Sequence, residues 1–184
     1  MQEACVSKIG VRTATLNRRA AMSPAARATA AGLVTEALTA AVRTADRVAA
    51  YVSFGTEPAT AELLSLREDI LLPVLLADGS LEWAVAERLQ PGRRGMLEPS
   101  GARQGTAALA GCDLVLVPAV AVDGRGMRLG RGGGSYDRAL PGCTGLTVAL
   151  LYDGELHERL PAEPHDVAVR AVATPTGGLV QLSG

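Results

Sequence analysis

Lysine is nearly missing from this 184-residue chain, whose 18 basic residues are one lysine, Lys8, and 17 arginines. Aromatic side chains are almost as scarce, with one tryptophan, three tyrosines and one phenylalanine. A core must therefore come from aliphatic residues and alanine. The three cysteines, Cys5, Cys112 and Cys143, are odd in number and lack metal-type spacing, which argues against a disulfide framework or a zinc site. Neither sign of charge is in surplus. A formal net charge of −1 leaves no basic stripe of the kind a general nucleic-acid binder carries. Long apolar runs are missing too, so no segment reads as a membrane span, and no signal-peptide pattern appears. No repeat or low-complexity linker divides the chain. The expectation is one domain over residues 1–184, cytoplasmic and monomeric, with no nucleic-acid or membrane partner.

What is plentiful is glycine, at 21 residues, with six of them between Gly124 and Gly134. The stretch from Asp113 to Arg138 organises the chain. Leu114 to Val117 is a short, β-branched apolar run and reads as a buried strand. Pro118 and then Asp123-Gly124 break it. A glycine loop follows, interleaved with Arg125, Arg128 and Arg131, before Ser135-Tyr136-Asp137, where a helix can start. Glycine allows positive φ, expected here at Gly133, and lets the backbone approach a ligand closely. Backbone N–H groups in a concave run, with arginines nearby, suit a polyphosphate. The pattern is neither a Walker loop nor a Rossmann fingerprint.

The rest of the chain alternates helix and strand. A helix is expected over Lys8–Ala21, with Lys8 and Arg12 four apart on one face, a spacing that alone reads as a solvated basic face. Ser23-Pro24 is a cap and first helical residue for a helix to about Ala45, with Leu33, Val34, Leu38 and Val42 as its stripe. Strands are expected at Val48–Val52, Ile70–Leu76, Leu81–Val85, Leu146–Leu151 and Val167–Ala173. A helix should open at Thr56-Glu57-Pro58, residues 88–106 read as loop, and a short helix covers Thr106–Ala110. Such alternation implies an α/β fold, a three-layer arrangement of a largely parallel sheet with helices on both faces.

The glycine segment resembles the signature of the 5-formyltetrahydrofolate cyclo-ligase family, also called methenyltetrahydrofolate synthetases. The residues that carry the likeness are Val117-Pro118-Ala119, Asp123 and the run Arg128-Leu129-Gly130-Arg131-Gly132-Gly133-Gly134-Ser135-Tyr136-Asp137. A basic pair followed ten residues later by Met-Ser, here Arg12 and Met22-Ser23, extends it, and the resemblance spans about Lys8 to Pro175. It implies ATP-dependent closure of 5-formyltetrahydrofolate to 5,10-methenyltetrahydrofolate through a phosphorylated formyl group.

The resemblance also implies roles. Lys8, Arg12, Arg128, Gly130, Arg131, Gly132, Gly133, Gly134 and Tyr136 would contact ATP, with Lys8, Arg131 and Tyr136 closest to the chemistry. Val52, Glu57, Arg131 and Ser135 would meet the folate, and Asp137 and Asp166 would hold Mg²⁺. His165 reads as structural, and Phe54, Trp83 and Tyr51 are the aromatic candidates for the folate pocket. Three positions depart from the family pattern: Ser135 replaces a tyrosine, Val74 an arginine and Arg170 an aspartate. Ser135 and Val74 keep open an ATP-binding paralogue with another substrate, and a non-catalytic nucleotide or folate module stays open because a retained motif does not by itself entail turnover.

Overall fold

The computed structural model describes residues 7–85 and 87–183. Residues 1–7 carry no pattern in the sequence; the first six, Cys5 included, lie outside that range, and Ser7 is ordered as a cap rather than frayed. Helix α1 (Lys8–Ala21) begins at Ser7, whose hydroxyl accepts the Gly10 N–H at 3.0 Å. Val11, Thr15 and Arg19, spaced by four, form its buried face. Helix α2 (Pro24–Thr44) starts in the same way, with the Ser23 hydroxyl accepting the Ala26 N–H at 3.1 Å and proline in the first turn. It buries Ala30, Val34, Leu38 and Val42, while Leu33 turns outward.

Strand β1 (Val48–Ala49) is shorter than the expected Val48–Val52. Beyond it the Thr60 side chain takes over the backbone groups: it donates to the Tyr51 carbonyl at 2.8 Å and accepts the Ser53 N–H at 3.0 Å. The expected helix at Thr56 starts only at α3 (Ala61–Leu64). Gly55 is left-handed at φ 64°, and the Glu57 carboxylate closes a turn on the Phe54 N–H at 2.8 Å. The hairpin of β2 (Leu71–Leu75) and β3 (Leu81–Val85) is as expected. Residues 88–106 are not all loop. Strands β4 (Leu89–Pro91) and β5 (Leu97–Pro99) pair antiparallel there, invisible to a pattern search because each is only three residues long. A 3-10 turn over Thr106–Gly111 replaces the expected short helix.

Strands β6 (Leu114–Pro118), β7 (Ala121–Asp123) and β8 (Arg128–Leu129) lead to helix α4 (Ser135–Ala139). Then come β9 (Leu146–Leu150), β10 (Leu156–His157), β11 (Ala171–Thr174) and β12 (Gly178–Gln181). The last expected strand begins at Ala171 rather than Val167. Residues 167–169 instead cross the β7–β8 turn, where the Val169 N–H donates to Gly126 at 2.9 Å. A β-carbon on Gly126 would sit 2.1 Å from the Val169 carbonyl, so this crossing needs glycine. Strand β12, which follows Pro175 and has a partly exposed face, has no counterpart in the sequence reading.

The main sheet has the order β12-β11-β9-β6-β1-β2-β3. The inner strands run parallel, and the edges β12 and β3 are antiparallel. One face packs on Val34, Leu38 and Val42 of α2 and Leu63 of α3. The other packs on Leu109 of the 3-10 turn and Leu140 just after α4. A small sheet, β10-β7-β8, lies beside α1 through Val11, Ala121, Leu129 and Leu160. The α/β architecture with a largely parallel sheet is therefore as expected, and no helix among the described residues is long and apolar enough to cross a membrane.

Candidate active site

Parallel strands open their ligand sites beyond their carboxyl ends. A cleft of about 520 Å³ lies there, reached by the ends of β1 and β6, the glycine loop after β8, the start of α1 and the β4–β5 turn. Lys8, Arg12, Val52, Glu57, Arg128, the run 130–137 and Asp166 all line it. The structure thus brings together every site residue read from the sequence, although Lys8 and Asp166 are 158 positions apart. Tyr51 and Phe54 line the cleft as well, whereas Trp83 is fully buried in the core. His165 stands at the rim with an exposed side chain.

In the loop, Gly132 (φ 103°) and Gly134 (φ 64°) adopt the left-handed region, and Gly133 does not. The expectation of positive φ at Gly133 is thereby corrected: the backbone requirement falls on its two neighbours. Arg12 steadies the loop by donating its Nε–H to the Gly130 carbonyl at 2.9 Å.

Ion pairs organise the charge. Lys8 Nζ lies 2.7 Å from Asp166 and 3.0 Å from Glu163. Burial is the largest single influence and opposes both charges of the Lys8–Asp166 contact, but the hydrogen bonds and opposite charges around it together prevail, so the carboxyl falls below its ordinary value and the ammonium rises above. Arg128, almost fully buried, pairs with Asp137 at 2.8 Å and lies 5.7 Å over the Tyr136 ring. Arg131 Nε is 3.0 Å from Glu57, while its Nη2 donates to the Phe54 carbonyl at 3.0 Å and its guanidinium covers the Phe54 ring at 5.5 Å. Burial pushes the Glu57 carboxyl up, against the Phe54 N–H and the Arg131 charge, which pull it down.

Tyr136 packs edge-on against Trp83 at 6.4 Å, and its hydroxyl is sealed without a partner among the described residues. Burial pushes this phenol far above its ordinary range, so it is neutral at any working pH. Among the described residues no group of three or more His, Cys, Asp or Glu side chains forms a metal cage. Asp137 and Asp166 are nevertheless the cleft carboxylates that could hold Mg²⁺, which binds through one or two carboxylates plus phosphate oxygens, in exchange for their pairing with Arg128 and Lys8.

Of the three departures, Ser135 lines the cleft, but Val74 and Arg170 do not. Val74 is buried beside the cleft-lining Pro73 and Leu75, and Arg170 reaches the carbonyls of Cys143, Thr144 and Gly145. Sequence reasoning missed Arg94, Glu98 and Glu163 as cleft residues. The Glu98-Pro99 pair was a faint signal of the second; a cleft-facing hairpin turn had no signal at all.

A model of the 5-formyltetrahydrofolate cyclo-ligase family matches residues 4–175. A 5-formyltetrahydrofolate cyclo-ligase from Mycolicibacterium smegmatis is 37% identical over 192 aligned positions, covering 96% of this chain and 97% of that protein. The Escherichia coli 5-formyltetrahydrofolate cyclo-ligase is 33% identical over 144 positions, covering 72% of this chain and 79% of its own. Among solved structures, 5,10-methenyltetrahydrofolate synthetase from Aquifex aeolicus superposes with a TM-score of 0.82 at 27% identity, covering 96% of this chain and 93% of that one. A 5,10-methenyltetrahydrofolate synthetase from Mycoplasma pneumoniae shares the fold, with a TM-score of 0.73 at 19% identity over 91% of this chain and 98% of its own. Taken with the glycine loop and the ion pairs around it, these likenesses establish that the chain belongs to the 5-formyltetrahydrofolate cyclo-ligase family.

Proposed function

We propose that this cleft binds 5-formyltetrahydrofolate and ATP together and closes the folate to 5,10-methenyltetrahydrofolate, as a single cytoplasmic cyclo-ligase domain acting as a monomer. The observation that carries the reading is the composition of one cleft: a glycine loop edged by arginines adjoins a wall with Val52, Phe54, Leu75 and Glu57. The first part suits phosphate, and the second suits an aromatic heterocycle with polar edges.

The chemistry needs both. A formyl oxygen is a poor leaving group, so it first attacks the γ-phosphorus of ATP, and the bond to ADP breaks. The product is an iminium phosphate on N5 of the folate. N10 then adds to the activated carbon and loses its proton, and the C–O bond breaks as inorganic phosphate departs. In phosphoryl transfer the protein's part is positioning and charge stabilisation. Arg128 and Arg12 with the loop N–H groups would hold the phosphates, and Lys8 would meet the charge on the transferred group. Arg131, tied to Glu57 and stacked on Phe54, would stand between phosphate and folate. The Tyr136 ring would support Arg128 from beneath rather than move a proton. Asp137 and Asp166 would hold Mg²⁺, which when bound supplies positive charge to the phosphate oxygens.

Mixing the protein with 5-formyltetrahydrofolate and Mg-ATP, and following the long-wavelength absorbance of the methenyl product, tests the reading. Stoichiometric growth of that band with ADP release is the expected result. Binding of both ligands without product would instead make the protein a binding module. Absence of both product and folate binding would point to a paralogue with another substrate.

A further inference from the structure

Five lysine and arginine side chains line the cleft: Lys8, Arg12, Arg94, Arg128 and Arg131. Three are tied to carboxylates, Lys8 to Asp166 and Glu163, Arg128 to Asp137, and Arg131 to Glu57. Among the described residues, Arg12 and Arg94 have no acidic partner, and Arg94 makes no side-chain hydrogen bond. These two guanidinium groups without acidic partners, Arg12 also donating its Nε–H to the Gly130 carbonyl, meet the same short piece of backbone. A β-carbon on Gly132 would lie 3.8 Å from Arg12 Nη2, and one on Gly133 would lie 3.6 Å from Arg94 Nη1.

Arg94 reaches that point because the β4–β5 hairpin is fastened at its tip. The Glu98 carboxylate, buried below the turn, accepts the Leu75 N–H of β2 at 3.2 Å and the Arg93 N–H at 3.3 Å. Gly92 makes room for it, since a β-carbon there would fall 2.1 Å from Glu98 Cδ. The Gly92 N–H closes the turn on the Met96 carbonyl at 2.8 Å. Arg94 itself sits at φ 57°, the one non-glycine residue in the left-handed region among the described residues. An L-residue adopts that conformation at a cost, so the turn is held in it by its anchors. On the far side Gly95 approaches the Phe54 ring.

We propose that Arg94 is a further nucleotide-binding residue: the β4–β5 hairpin suspends its guanidinium over Gly133, so that a phosphate group of the nucleotide on residues 132–134 is gripped between Arg12 and Arg94. The inference rests on the reading that the glycine loop receives the phosphates of ATP. Two guanidinium groups without acidic partners, converging on adjacent glycines, call for a ligand with several negative charges. A triphosphate offers charge and fork-shaped acceptor geometry together. The hairpin then forms the second wall of a phosphate site whose first wall is α1.

The test uses R94A, R94G and, as a control from the same turn, R93A; Arg93 does not line the cleft. Each full-length variant is titrated separately with Mg-ATP and with 5-formyltetrahydrofolate by calorimetry. Loss of a charge-assisted contact should weaken Mg-ATP about tenfold or more in R94A and R94G, with folate affinity and R93A unchanged. R94G suits the left-handed backbone, so its melting temperature should not fall, which separates lost affinity from lost fold. Unchanged Mg-ATP affinity in R94A and R94G overturns the proposal. Weakened folate with intact Mg-ATP affinity also overturns it, assigning Arg94 to a folate carboxylate instead, and an equal loss in R93A reduces the effect to general surface charge. Failure of the underlying reading looks different, because the wild-type protein would then bind no Mg-ATP at all.

Discussion

At the scale of single residues, Asp123 and Tyr136 show two fates of a buried polar atom. Asp123 is fully buried, and its carboxylate accepts the N–H groups of Leu160 (2.9 Å), Arg125 (2.9 Å) and Met127 (3.0 Å) as well as the Arg125 guanidinium (2.7 Å). Burial works against its charge, but these donors prevail and hold the carboxyl below its ordinary value. A depressed carboxyl stabilises the fold above its unfolded pKa, about 3.9, and that contribution is lost as pH falls through the folded value. Asp123→Asn should therefore cost about 1–3 kcal/mol at neutral pH, with the deficit against wild type shrinking below about pH 4. Urea unfolding at several pH values checks this; a deficit independent of pH would mean that the charge is irrelevant. Tyr136 is the opposite case, a sealed hydroxyl with no partner among the described residues. Removing an unpaired buried group relieves a desolvation cost. Tyr136→Phe is expected to keep or raise the melting temperature and to retain turnover within about threefold, a loss well short of one charge-assisted contact. A tenfold loss of turnover would give the hydroxyl a role in the chemistry.

At the scale of elements, the loop and helix geometry divides the work between neighbours. Helix α1 buries Val11, Thr15 and Arg19 on one face and presents Lys8 and Arg12 to the cleft from another, which the 3.6-residue period permits. The glycine loop places its left-handed residues at 132 and 134, with 133 between them in an ordinary conformation. Gly132→Ala and Gly134→Ala should each lose about 1 kcal/mol or more, because alanine is strained at positive φ. Gly133→Ala should lose less, as a β-carbon there meets nothing closer than 3.6 Å. Chemical denaturation of the three variants gives the ranking directly. Equal losses would show that the free loop does not hold the geometry described above.

At the scale of the whole molecule, one buried ion pair ties the cleft to the body of the fold. Arg19 and Glu155 are both almost fully inaccessible and pair in a fork, at 2.8 Å and 2.7 Å, while Arg19 also reaches the Ala119 carbonyl at 2.7 Å. Glu155 in turn accepts the Tyr152 N–H at 2.8 Å, and Arg19 lies over the Tyr152 ring at 5.5 Å. The pair thus joins α1, the β6–β7 junction and the turn before β10. Removing one partner strands the other charge, so Arg19→Met should cost about 3–5 kcal/mol. Adding Glu155→Leu should restore a large part of that stability, because an apolar pair removes the stranded charge. Since α1 also carries Lys8 and Arg12, the single variant should raise the Michaelis constant for ATP at temperatures where it is still folded. A single variant as stable as wild type would show that the pair adds nothing net.

The sequence by itself determined the family, the alternation of helix and strand, and most residues of the cleft. It could do so because the glycine loop, its arginines, Tyr136 and Asp137 are contiguous, and contiguous motifs survive without knowledge of the fold. The Ser23 cap was readable for the same reason, since a cap bonds two or three residues away, whereas the Ser7 cap was not read. What only the tertiary structure decided depends on distance along the chain. Lys8 meets Asp166, Arg131 meets Glu57 and Arg19 meets Glu155 across separations that no local pattern encodes. The β4–β5 hairpin was hidden because its strands are three residues each, too short for an alternation to stand out, and so Arg94 over Gly133 was hidden with it. Local backbone preference sets which segments form, but long-range packing and charge neutralisation set which side chains remain free to meet a ligand.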